Sequence, residues 1–168
     1  MISRRSALSA VSLLAASAMF LGLQACSTMS AKPKSVVDVM SSNPELSTVT
    51  DLLRKSGLEP VLSAVGPFTV FAPSNDAFKA VPAKTMQNLA TNPAALKDVL
   101  TFHVAPGKLD AAGITNTSVT TVQGAKLALS KTGGYVTVED GLVIKADQAA
   151  ANGVVHVIDR VLTPPKKK

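Results

Sequence analysis

Hydrophobic positions follow two different periods along the chain, and the change falls past its middle. The first half is mostly helical in spacing. Val36, Val37, Val39 and Met40 make a short apolar turn. Asn43-Pro44-Glu45 then offers a cap, a proline suited to the first helical position and an acidic first turn. Leu46, Val49 and Leu53 follow as a stripe with Leu52 beside them, and Gly57 is placed to end that helix. Val61, Leu62 and Val65 lead onward. Pro82 opens another helix with Met86 and Leu89 on one face. Asn92-Pro93 opens the next, with Leu96, Val99, Leu100 and His103 at helical spacing.

One stretch, residues 66–78, breaks this period. Phe68, Val70 and Ala72 point one way and Thr69 and Phe71 the other, so residues 68–72 predict a strand. Both of its faces are largely apolar, which places it inside a sheet. Pro73 stops it. Ser74 is a good N-cap, and Asp76 falls in a first helical turn where the dipole favours negative charge. Phe68, Phe71 and Phe78 make this buried strand and its helix a core centre.

In the second half the runs shorten: 119–122, 127–129, 135–138 and 142–144. Gln123-Gly124, Gly133-Gly134 and Asp140-Gly141 separate them, the pattern of a meander of antiparallel hairpins. Asn152-Gly153 then introduces a last strand over 154–162. Helices first and strands after, with one strand from each half, predict an α+β domain.

Composition matters mainly at the ends. Arg4 and Arg5 precede an uncharged run from Ala7 to Leu23, and Leu23-Gln24-Ala25-Cys26 follows. A basic head, apolar middle and small residues before a cut site predict a signal peptide over 1–25. The Leu-Gln-Ala-Cys box resembles that of bacterial lipoproteins, which implies an acylated Cys26 and membrane attachment through it. Cys26 is the only cysteine, so no internal disulfide is available. The paired arginines with Leu8 also resemble a twin-arginine export signal, but a general secretory leader needs only the same basic head. Residues 26–34 carry the acylated cysteine and a small, polar tether. The domain is expected over 35–164, with a basic tail at 165–168.

The net charge of +6 resides largely in Arg4, Arg5 and the lysines at 166–168. The body is close to neutral and shows no basic face with interleaved aromatics, so nucleic acid is not an expected partner.

Candidate chemistry is thin. His103 and His156 are the two histidines, and both stand among apolar neighbours. Such a histidine is expected to be a hydrogen-bonded core residue; a base or metal ligand needs a partner at compatible spacing. His156 and Asp159 are three apart on a strand and face opposite ways. Nothing in the sequence places a third ligand for a metal bridging the two histidines; naming Asp147 or Asp159 for that role would be a guess. No nucleophile elbow, His-Glu-x-x-His, phosphate loop or dinucleotide fingerprint occurs. No catalytic residue, metal or cofactor is assigned. Glu139-Asp140 reads as part of a turn, and the Asn116-Thr117-Ser118 triplet as loop chemistry.

Three segments together resemble the fasciclin domain family. Residues 69–78, Thr-Val-Phe-Ala-Pro-Ser-Asn-Asp-Ala-Phe, are similar to its first signature block. Residues 152–162, Asn-Gly-Val-Val-His-Val-Ile-Asp-Arg-Val-Leu, are similar to its second. Between them Leu100-Thr101-Phe102-His103-Val104, with Pro106-Gly107, resembles the family's tyrosine–histidine segment. The resemblance covers about 35–164 and implies a fasciclin-like β-sheet wedge flanked by several short helices. It also implies a non-enzymatic, extracellular adhesion or interaction role with a protein or polysaccharide partner. The usual tyrosine is Phe102 here, which removes a phenolic handle, so an animal-type receptor interaction is not carried over. Phe102, His103, His156 and Asn152 are therefore candidate interaction or structural residues. A small apolar-ligand carrier is the alternative function, and a metal or hydrolytic enzyme a further one. Localisation is expected in the cell envelope, lipid-anchored with the outer membrane favoured, or periplasmic or secreted.

Overall fold

The computed structural model describes residues 34–165. The leader, Cys26 with its tether as far as residue 33, and the lysines at 166–168 lie outside the described residues. The described residues all belong to one compact unit.

Local signals set most helix ends. Ser35 caps α1 (Val36–Ser41) through a capping box with Asp38. Asn43 caps a single 3₁₀ turn, Pro44–Leu46, which runs into α2 (Ser47–Lys55). Gly57, at φ +70°, carries the chain out of α2 in the left-handed conformation that side chains disfavour. α3 (Glu59–Ser63) is a single turn that the apolar spacing around Leu62 did not announce. Ser74 caps α4 (Asn75–Lys79) by accepting from the Ala77 N–H. α5 (Ala83–Thr91) starts after Pro82. Asn92 caps α6 (Pro93–Phe102) by accepting from the N–H groups of Ala94 and Ala95.

Among the described residues seven strands follow or interleave: β1 (Phe68–Pro73), β2 (Val104–Pro106), β3 (Thr117–Thr120), β4 (Lys126–Thr132), β5 (Tyr135–Val138), β6 (Gly141–Ala150) and β7 (Gly153–Ile158). Their order is β2-β1-β7-β6-β5-β4-β3. β1 and β7 are parallel neighbours, with Phe71 opposite His156, and every other pair is antiparallel. The first strand and the last are thus brought side by side across the whole intervening chain. Beyond β3, the Val122 N–H donates to the Val104 carbonyl of β2 at 2.8 Å. The two outer ends of the strand order therefore meet.

The alternation along β1 and β7 divides the core in two. Val70, Ala72, Val155 and Val157 face the helices and pack with Met40, Leu46, Val49, Leu53, Leu96 and Leu100. Phe71 and Ile158 face the opposite way, into a second cluster with Phe102, Ile114, Leu127, Leu129, Val136 and Val138. Because β4 and β5 contribute to that second cluster, the two halves of the sheet close on each other around it. That is the wedge, with helices covering its outer face.

The structure differs from the apolar pattern in three places. β2 forms from the middle motif segment, which shows no alternation; its ladder to β1 imposes it. β6 is ten residues long, although only 142–144 look like a strand. Its continuation through Lys145-Ala146-Asp147-Gln148 is irregular, with register shifts after Val143 and Lys145, and Asp147 at φ +56°. β7 stops at Ile158, short of Leu162. There the ladder gives way to a clip: Leu142 N–H donates to the Asp159 carboxylate at 2.7 Å and Asp159 N–H to the Leu142 carbonyl at 3.0 Å.

Candidate functional site

The four singled-out residues lie at the joints between layers. Phe102, at the end of α6, is 1 % exposed and packs in the inter-sheet cluster. Its ring is therefore no surface handle.

His103 is the C-cap of α6 and is 3 % exposed. Its Nδ1 lies 2.8 Å from the Val99 carbonyl, a pure acceptor, so Nδ1 carries the hydrogen and donates. Nε2 is then the free lone pair, and it accepts the Leu162 N–H at 3.0 Å. Its own carbonyl accepts the Phe71 N–H at 2.9 Å. One residue thus ties α6, β1 and the C-terminal segment together. Burial holds the imidazole neutral, lowering its pKa from 6.5 to about 4 against the opposing hydrogen bond to Val99.

His156 has the other tautomer. Its Nε2 donates to the Leu109 carbonyl at 2.7 Å, and its Nδ1 accepts the Asp147 N–H at 3.2 Å. The ring is fully buried and stacks on Phe71, with centroids 5.6 Å apart and planes 20° from parallel. Both nitrogens of both imidazoles are engaged by main-chain groups. Neither ring has a lone pair or a proton left for a substrate or a metal.

Asn152 sits in the turn between β6 and β7. Its Oδ1 accepts the Val36 N–H at 2.8 Å, and its amide N–H groups donate to the Leu62 and Ala64 carbonyls at 2.8 Å each. Its own carbonyl accepts the Phe68 N–H at 3.0 Å. The amide so pins α1 and the end of α3 to the sheet. Gly153 follows because nothing larger fits: a Cβ there would lie 1.9 Å from the Phe68 carbonyl oxygen.

The structure does not bring His103 and His156 to a shared ligand. Asp147 and Asp159, the two carboxylates considered for a third ligand, accept from the N–H groups of Ala111 and Leu142 at 2.7 Å each. Among the described residues no group of three or more His, Cys, Asp or Glu side chains could hold a metal ion.

Three further joint residues stand outside the four candidates; of these the sequence had marked only Asn116, as part of a loop triplet. Thr69 is fully buried; its hydroxyl donates to the Gly107 carbonyl at 2.7 Å and accepts the Leu109 N–H at 2.9 Å. A hydroxyl in an otherwise apolar interior strand was the available signal. Asn75 accepts the Thr48 N–H at 3.0 Å and donates to the Pro44 carbonyl at 2.9 Å, joining α4 to the start of α2. Asn116 accepts the Lys131 N–H at 2.8 Å and the Ser130 hydroxyl at 3.1 Å. It thus holds the loop before β3 against β4.

Comparison with known proteins gives one consistent outcome. The sequence profile of the fasciclin domain matches residues 44–164. Protein sll1483 of Synechocystis sp. is 44 % identical over 132 residues, which cover 77 % of this chain and 73 % of that protein. The transforming growth factor-beta-induced protein ig-h3 of Sus scrofa is 37 % identical over 79 % of this chain, which spans only 20 % of that protein's length. Among solved structures, a FAS1 domain pair from the insect cell adhesion molecule fasciclin I matches with a TM-score of 0.63. That likeness is at 18 % identity over 78 % of this chain and 51 % of the other, and it bears on the fold alone.

Proposed function

The chain belongs to the fasciclin domain family, and on that premise we propose that it is an exported, non-enzymatic interaction module that binds a protein partner at the cell envelope. The observation that carries this reading is the complete use of both histidines by the main chain. With no imidazole available, function falls to the surface. The leader and the Leu23-Gln24-Ala25-Cys26 box support export and a lipid anchor at Cys26. Acylation would hold the domain close to a membrane while residues 27–34 give it reach.

Two measurements test the reading. Metabolic palmitate labelling is expected for the wild type and lost in Cys26→Ser; equal labelling of both removes the anchor. The chain is also expected to bind at least one envelope or matrix protein saturably on a combined protein and glycan array. Binding to glycans alone moves the partner to polysaccharide, and no saturable binding contradicts the module.

A further inference from the structure

A groove of about 380 Å³ opens between the helices and the segment that leaves β7. Ala77, Val81 and Leu89 form one side, and Val99 and Val161 continue its apolar lining. No aromatic ring lines it, so nothing there favours stacking a base or a flat ring. Its one charged lining residue is Arg160. The Arg160 guanidinium is exposed and forms no ion pair with any described residue; the carboxylate of its neighbour Asp159 is held by the Leu142 N–H. An aliphatic trough with one unpartnered planar cation at its edge is complementary to an aliphatic chain ending in a carboxylate. Its volume falls in the lower part of the roughly 300–1,000 Å³ range of small-molecule sites.

We propose that this groove binds a single-chain fatty carboxylate, with the tail against Val81, Leu89, Val99 and Val161 and the head on Arg160. The aliphatic walls remove the tail from water, the larger contribution. Arg160 supplies head-group selectivity. An extended peptide fits less well, because it needs main-chain partners along its length and the lining side chains offer little beyond the hydroxyls of Thr85 and Thr163. The site is separate from the protein-partner reading, and its failure leaves that reading where it stands.

The test is calorimetric titration of the full chain with dodecanoate and, as an uncharged control, dodecanol, both kept monomeric. Dodecanoate is expected to bind saturably near one equivalent and more tightly than dodecanol. Arg160→Ala is expected to weaken dodecanoate about fivefold, the order of one exposed ion pair, and to leave dodecanol unchanged. Ala80→Trp, at an exposed lining position, is expected to abolish binding of both with the melting temperature unchanged. Thr85→Trp serves the same purpose if Ala80→Trp does not fold. Non-saturable uptake, binding that survives the tryptophans, or an Arg160→Ala chain with wild-type dodecanoate affinity would each overturn the proposal.

Discussion

His103 makes the stability of this domain depend on pH in a defined direction. Protonating Nε2 would set a new N–H against the Leu162 N–H that it now accepts at 3.0 Å, and would bury a charge in a site 3 % exposed. Its pKa in the fold, about 4, lies below the ordinary 6.5, so the unfolded chain takes the proton first. The stabilisation is therefore fully present above about pH 6.5 and is lost as pH falls towards about 4. The separation of 6.5 from about 4 corresponds to roughly 3 kcal/mol, of which about 2 kcal/mol is gone by about pH 5. Urea unfolding from about pH 7.5 to about pH 4.5 measures this. The chain has no tryptophan, so far-UV circular dichroism is the suitable signal. The control is His103→Gln, which cannot titrate; all other acid effects are common to both proteins. The wild type should lose about 2.5 kcal/mol more than His103→Gln over that range. Equal losses in the two proteins would refute the argument, as would an NMR titration that finds His103 charged at about pH 6.

Other substitutions have expected costs in the same assay. Phe71→Ala removes a fully buried ring from the centre of the inter-sheet cluster and from the face of His156, and should cost about 3–5 kcal/mol; under about 1 kcal/mol would mean that the core lies elsewhere. Asn152→Ala strands the Val36 N–H and two carbonyls of the α3 end in a half-buried turn, with an expected loss of about 2–4 kcal/mol, and exchange of the Val36 amide with solvent should accelerate. Gly153→Ala drives a Cβ into the Phe68 carbonyl, a backbone atom that cannot turn away, so β1 and β7 must separate at that end at about 3 kcal/mol or more; a near-neutral effect would contradict the close approach.

Legibility in the sequence followed locality. Strand β1, its Pro73-Ser74 turn and the caps at Asn43 and Asn92 are written in adjacent residues, and each stands where the pattern put it. The two faces of β1 also separate as the alternation requires. β2 and the second half of β6 carry no such pattern, because their strand geometry comes from the partner ladder. The joints were half legible. A histidine among apolar residues signals a buried, satisfied ring, and both are that. Its partners were not readable: Leu109, Asp147 and Leu162 are main-chain donors or acceptors, 47, 9 and 59 residues away. No side-chain spacing marks a bond to a distant backbone group. The groove beside Arg160 was equally hidden, since α4, α5, α6 and the end of β7 meet only in the fold.

In the proposed module the two imidazoles hold the fold while the surface does the binding. The most direct test is His156→Gln, followed by thermal unfolding and by partner affinity well below the melting temperature. The expected result is a clearly lowered melting temperature with affinity within about twofold of wild type, since a lost buried hydrogen bond costs about 1–3 kcal/mol and touches no surface. A wild-type melting temperature accompanied by loss of function would contradict the account and place His156 in a working site.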